Sequence, residues 1–180
     1  MSRSTLIGGV ALTALACGIF GAVSASAQTS AALTDPQIAH IAYTADTIDI
    51  QNGELALKKS KNKDVRAFAE DMVRDHTAVN QKALALVKKL NVTPADNATS
   101  RSLVKQADAE RAKLAALNGA AFNKAYAANE VAYHKEVNGA LETTLIPSAH
   151  NPELKSLLEV GLKIFQGHEQ HAEELVATLK

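Results

Sequence analysis

From Ala31 to Lys180 the apolar side chains recur at three- and four-residue steps, and nowhere do β-branched residues alternate as a strand requires. Alanine and straight-chain helix formers dominate, with few glycines and prolines, so this stretch is predicted to be helical throughout. A first helix is expected to start at Thr34-Asp35-Pro36-Gln37, with Thr34 as cap, Pro36 in the first turn and Gln37 completing a capping box. It carries Ile38, Ile41, Ala45, Ile48 and Leu55 on one face and stops in the polar turn Ser60 to Lys63. A second helix follows with Val65, Phe68, Met72, His76, Val79, Ala83, Leu86 and Leu90. So short a connection forces the two into an antiparallel hairpin.

Asn91 to Asn97, containing Pro94, closes the pair. Thr99 or Ser100 is placed to cap a shorter amphipathic helix bearing Leu103, Ala107, Leu114 and Leu117, which Asn118-Gly119 should end or kink. A long helix then holds Phe122, Tyr126, Tyr133, Val137 and Leu141 before Pro147, and the last holds Leu154, Leu158, Phe165, His168, Leu175 and Leu179. The expected fold is an all-α four-helix bundle with an extra connecting helix, each long helix of about 25 residues spanning about 37 Å. Whether the connector crosses the bundle, and so whether the third long helix runs parallel to the second, is left open by the pattern.

The segment before this bundle has a different character. Arg3 is its only charge, an apolar run covers Leu6 to Val23, and Ala25-Ser26-Ala27 supplies the small-x-small pattern of a signal-peptidase site. Residues 1–27 are therefore expected to be a signal peptide cleaved after Ala27, leaving 28–180 as one domain in the periplasm or cell envelope. A retained anchor fits less well, because Thr13, Gly18 and Gly21 interrupt the run. A lipoprotein acylated on Cys17 fits less well too, because Ala14-Leu15-Ala16 departs from the lipid-attachment pattern. After cleavage no transmembrane segment is expected. Cys17 is the only cysteine, so the mature protein would carry no disulfide and no thiolate ligand. Charge is balanced at 19 basic and 19 acidic residues, and loss of Arg3 changes that only to 18 against 19. Such balance gives no electrostatic footprint for nucleic acid or an anionic membrane.

The six histidines carry most of the chemical information. At about 100° per residue, His76 and His168 fall within the apolar stripes of their helices, and Asp49 falls among Ile38, Ala45 and Ala56 on the first. A carboxylate on a core face is costly unless it is paired. Asp49 and His76 are nearly equidistant from the turn at Lys61, which places them at one level and predicts a hydrogen bond or ion pair between them. Glu130 and His134 share a helix face at the edge of its stripe, near the same level as His168. Asp49, His76, Glu130, His134 and His168 are thus the candidate metal ligands, a nitrogen and oxygen set of the kind that bundles build for Zn, Fe, Mn or Cu. The competing reading is a buried polar network that fixes helix register, or, for Glu130 and His134, an exposed i, i+4 pair. His40, His150 and His171 look peripheral.

Sharper motifs fail. Glu-x-x-His, which a di-iron carboxylate bundle uses, does not occur, since Glu130 and His134 are four apart. His168-Glu169-Gln170-His171 is one residue short of the zinc-protease helix pattern. Lys58, Lys59, Lys61 and Lys63 cluster where the first helix ends, where cations suit its dipole.

The segments Gly53-Glu54-Leu55-Ala56, Val65-Arg66-Ala67-Phe68-Ala69 and Met72-Val73-Arg74-Asp75-His76-Thr77, with Tyr126, His134 and His168, form a recognisable order. In it the chain resembles the exported bacterial family known as domain of unknown function 4142, over most of Asp35 to Lys180, most specifically from Phe68 to His76. The resemblance implies a ferritin-like four-helix bundle, export to the periplasm or envelope, and no established reaction. Where this chain has Asp49, the family pattern tends to carry Glu. The preferred expectation is a non-enzymatic structural, stress-related or partner-binding module, with a protein partner or a second copy as its target. The alternative is a metal-binding or metal-dependent redox protein. A weaker third is surface association through an exposed apolar face of the connector.

Overall fold

A computed structural model describes residues 32–179; the expected signal peptide and Cys17 lie outside the described residues. The described residues form α1 (Asp35–Lys59), α2 (Lys63–Lys89), α3 (Ala98–Ala116), α4 (Gly119–Ala140), a π-helical turn (Leu141–Leu145), the single turn α5 (Ile146–Ser148) and α6 (Pro152–Thr178). No strand occurs among them, and no helix is long and apolar enough to cross a membrane.

The first two helices begin and end as the residues require. Gln37 accepts from the backbone N–H of Thr34 at 3.0 Å, closing the expected capping box of α1. Asn62 accepts from the N–H groups of Asp64 and Val65, so α2 restarts after a three-residue turn and doubles back along α1. The two helices approach closely because Gly53 has no Cβ. A methyl group there would lie 2.9 Å from Val73 Cγ2 and 3.1 Å from the carbonyl of Ala69.

The cap of α3 differs from expectation. Asn97 takes that position, its side chain accepting from Ser100 N–H, while Ser100 returns a bond to the Asn97 N–H from the third position. Thr99 and Ser100 therefore lie inside the helix; Asn97 wins because the reciprocal pair satisfies two orphan donors at once.

Both ends of α3 are pinned against α1, which settles its path. Ala95 N–H donates to the Pro36 carbonyl at the start of α1, and Lys59 Nζ at the end of α1 donates to the Ala115 carbonyl. The connector thus runs the length of the bundle alongside α1, and α4 descends parallel to α2. Gly119, at φ +56°, makes the turn between α3 and α4. One long crossover of this kind is compatible with a ferritin-like bundle. Leu103, Ala107, Leu114 and Leu117 are at least partly covered, and Val104 is the large apolar side chain of α3 that is exposed.

At the far end of α4 the helix widens. Pro147 has no N–H to donate and its ring crowds the carbonyl four residues back. Just ahead of it the register shifts by one, with Ile146 N–H bonding Leu141 instead of Glu142. Asp35 then ties α6 to α1, accepting from the N–H groups of His150 and Asn151 at 2.8 Å each.

Two apolar clusters fill the interior, one at each end. Ala56, Val65, Phe68, Met72, Phe122, Tyr126 and Leu175 form the first, around the α1–α2 turn. Ile38, Ile41, Val79, Leu141, Leu145, Leu154, Leu158 and Phe165 form the second, around the start of α1. Between them lies a layer of buried polar side chains.

Candidate metal centre

Four helices each deliver polar groups to that layer. Asp46 and Asp49 lie three apart on α1, His76 is on α2, Glu130 and His134 are on α4, and His168 is on α6. Asp49 and Glu130 have no exposed surface, and His134, His76 and His168 are 1, 2 and 7 % exposed. Glu130 and His134 thus lie at the centre of the packing and not at a stripe edge, which excludes the exposed-pair reading. They belong to a ladder of four buried side chains, Tyr126, Glu130, His134 and Asn138, spaced by four along α4. Small neighbours such as Ala127 weaken the apolar stripe of α4, so periodicity alone undervalued this face.

Each of the three histidines is held through one ring nitrogen. His76 Nδ1 is 2.8 Å from Asp46 Oδ1. His134 Nδ1 is 2.9 Å from the Glu130 carbonyl oxygen. His168 Nε2 is 3.1 Å from Asp75 Oδ2. Of the opposite nitrogens, His134 Nε2 and His168 Nδ1 are buried and make no hydrogen bond among the described residues, and His76 Nε2 faces Asp49. One ligand nitrogen from each of the three lies within 4.8 Å of the others. A second triad, Asp49, Glu130 and His134, satisfies the same distance and shares His134 with the first. An oxygen-anchored imidazole with its other nitrogen turned toward its neighbours is how metal-binding histidines are oriented and kept in one tautomer.

Asp49 joins the two triads. Its Oδ2 lies 2.7 Å from His76 Nε2 and 3.3 Å from His134 Nε2, both as charge contacts. The expected Asp49 to His76 ion pair is therefore present as a charge contact. The well-aligned hydrogen bond of His76 goes instead to Asp46, which periodicity could have flagged as Asp49's neighbour three residues back on the same face.

The electrostatics follow from burial and these contacts. Burial alone would pull His76 down, but the charges of Asp49 and Asp46 outweigh it and hold its pKa at about 10. Burial likewise works against ionised Asp49, and the neighbouring His76 and His134 overcome it, keeping Asp49 below the usual carboxylate range. Glu130 is pushed well up by burial and by the Asp49 charge, so it stays neutral. Burial lowers His134 and His168, the latter to about 4, and the charge on His76 pushes both further down.

Phe165 stacks on His76 with ring centroids 4.5 Å apart and forms, with Asp46, the boundary between the polar layer and a cavity of about 250 Å³ in the second apolar cluster.

A family model described as Domain of unknown function (DUF4142) matches residues 21–175, a span holding every residue of this layer. The chain belongs to this family. No curated protein and no solved structure matches the chain. Membership in DUF4142 agrees with the expected likeness and assigns no reaction, so the chemistry of the bundle has to be argued from the polar layer. The remaining histidines of this DUF4142 chain stand apart from it: His150 is exposed, His171 is exposed with its ring packed edge-on against Phe68, and His40 is half-buried on α1.

Proposed function

We propose that the polar layer of this DUF4142 bundle binds a transition-metal ion, with His76, His134 and His168 as nitrogen ligands and Asp49 as the carboxylate beside them. The observation that carries this reading is the pair of buried ring nitrogens without hydrogen bonds among the described residues, His134 Nε2 and His168 Nδ1, each on an imidazole whose other nitrogen is anchored by an oxygen, beside a His76 whose Nε2 faces Asp49. A polar layer serving only helix register would be expected to satisfy its own members. Each buried polar atom left without a partner costs about 1–3 kcal/mol. Here His134 Nε2 and His168 Nδ1 are in that condition among the described residues.

The donor set narrows the choice of ion. Three imidazoles with one carboxylate suit Zn, Cu or Fe, whereas Mn prefers more oxygen. Glu130, held neutral, is a poor ligand until it ionises, and an added cation nearby favours that ionisation. The structural reading draws its best support from the Asp46–His76–Asp49 string, which compensates the charge on His76 without any ion.

Export to the periplasm or envelope belongs to the same proposal, resting on the apolar run Leu6 to Val23 and the Ala25-Ser26-Ala27 site. A metal-binding role there needs no thiolate, in keeping with a mature chain without cysteine.

X-ray absorption on the zinc-loaded mature protein tests the ligand assignment. The expected spectrum has a nitrogen and oxygen shell at about 2.0–2.1 Å with outer-shell scattering from three imidazoles. A spectrum of hydrated zinc, or one without imidazole scattering, contradicts it.

A further inference from the structure

The cavity beyond Phe165 has the makings of a binding site in its own right, whether or not the histidine layer holds a metal. Five helices and the π-helical turn supply its wall, and the wall is overwhelmingly aliphatic. The turn contributes directly: Leu141 and Leu145, brought round by the register shift before Pro147, both line it. Small side chains at Ala42, Ala83 and Gly161 leave the space that larger residues on these helices would fill.

Its charge pattern restricts what fits. Among the described residues no lysine, arginine or histidine lines it, and the two charged residues that do, Asp46 and Glu136, are both acidic. An anionic headgroup would meet repulsion and no counter-charge. Asp46 is fixed through Oδ1 by His76 and reaches the cavity wall at its inner end, where a carboxylate is an acceptor for a hydroxyl donor. An engineered cavity of about 150 Å³ holds benzene, so by proportion this one takes roughly ten carbon atoms.

From these features we infer that the cavity is a binding site for a neutral, compact hydrocarbon of medium chain length, with room for one hydroxyl group at the Asp46 end. The ligand lies against the outer face of Phe165, separated from the histidine layer by one aromatic ring.

The test uses the mature protein with 1-octanol as probe, octanoate as the charged counterpart, and the variant Ala42→Leu/Ala83→Leu to fill the space. Saturable 1-octanol binding is expected, followed by calorimetry. Octanoate should bind at least tenfold more weakly, and the filled variant should lose at least tenfold in octanol affinity while its metal uptake stays unchanged. In the wild type, intermolecular NOEs from octanol to the methyl groups of Val79, Leu141 and Leu158 are expected, and they do not depend on the variant folding. Absence of those NOEs overturns the inference, as does equal octanol affinity in a folded filled variant or tighter binding of octanoate than of octanol. Metal uptake is scored separately, so failure of the cavity site and failure of the metal site are distinguishable.

Discussion

His76 Nδ1 lies 2.8 Å from Asp46 Oδ1, so a buried imidazole on α2 is oriented by a carboxylate one turn away from the carboxylate that faces its other nitrogen. Asp46 is thus a positioning residue for a ligand, and Asp49 is the candidate ligand. The two aspartates look alike in the sequence and differ in what they touch.

Asp46→Asn therefore should weaken metal binding without abolishing it. Loss of the outer partner of a metal-binding histidine typically costs 10–100-fold in affinity. Competition against a chelator of known affinity measures this, with the stoichiometry expected to be unchanged. A variant that binds as tightly as the wild type would deny Asp46 the role.

In the metal-free protein, stability should fall from about pH 6.5 to pH 10. The pKa of His76 is raised from 6.5 to about 10, so its contribution is fully present below 6.5 and is lost as pH rises through 10. Glu130, pushed up by burial and by Asp49, adds a loss of the same sign above its ordinary pKa. Each proton is worth up to ~1.4 kcal/mol per pH unit in that window. Urea midpoints at pH 6.5, 8 and 10 with chelator present measure the slope; a midpoint that rises with pH contradicts it.

Gly53→Ala should destabilise the α1–α2 hairpin by about 1–3 kcal/mol, the usual cost of overpacking. The added methyl meets Val73 Cγ2 at 2.9 Å and the rigid carbonyl of Ala69 at 3.1 Å, so only the valine can yield. The urea midpoint of the variant reports it, and an unchanged midpoint would mean the helices sit farther apart than described.

Much of this was legible in the residues, for reasons that can be named. The capping box at Thr34, the Ser60 to Lys63 turn and the stop at Asn118-Gly119 act locally, so short-range chemistry was sufficient. Asp49, His76 and His168 were visible because each interrupts a strong apolar stripe. Asp46 shares the face of Asp49 three residues back, but which of the two aspartates meets His76 Nδ1 depends on the facing helix. Glu130 and His134 were placed too far out, since α4 alternates alanine with polar residues and has little stripe to measure against. The path of α3 depended on the distant contacts of Ala95 with Pro36 and of Lys59 with Ala115, which no periodicity carries. The register shift before Pro147 was likewise hidden, because proline forbids a bond without saying how the helix will accommodate the loss.

The central claim is that the histidine layer holds a metal, and the direct test is the metal content of mature protein purified from the envelope without an affinity tag. It is measured beside His76→Ala/His168→Ala, with circular dichroism to show that the variant folds. The account predicts stoichiometric Zn, Cu or Fe in the wild type, absent from the folded variant. A wild-type protein that is metal-free and takes up none of these ions at micromolar concentration would contradict it, and the layer would then be a packing device.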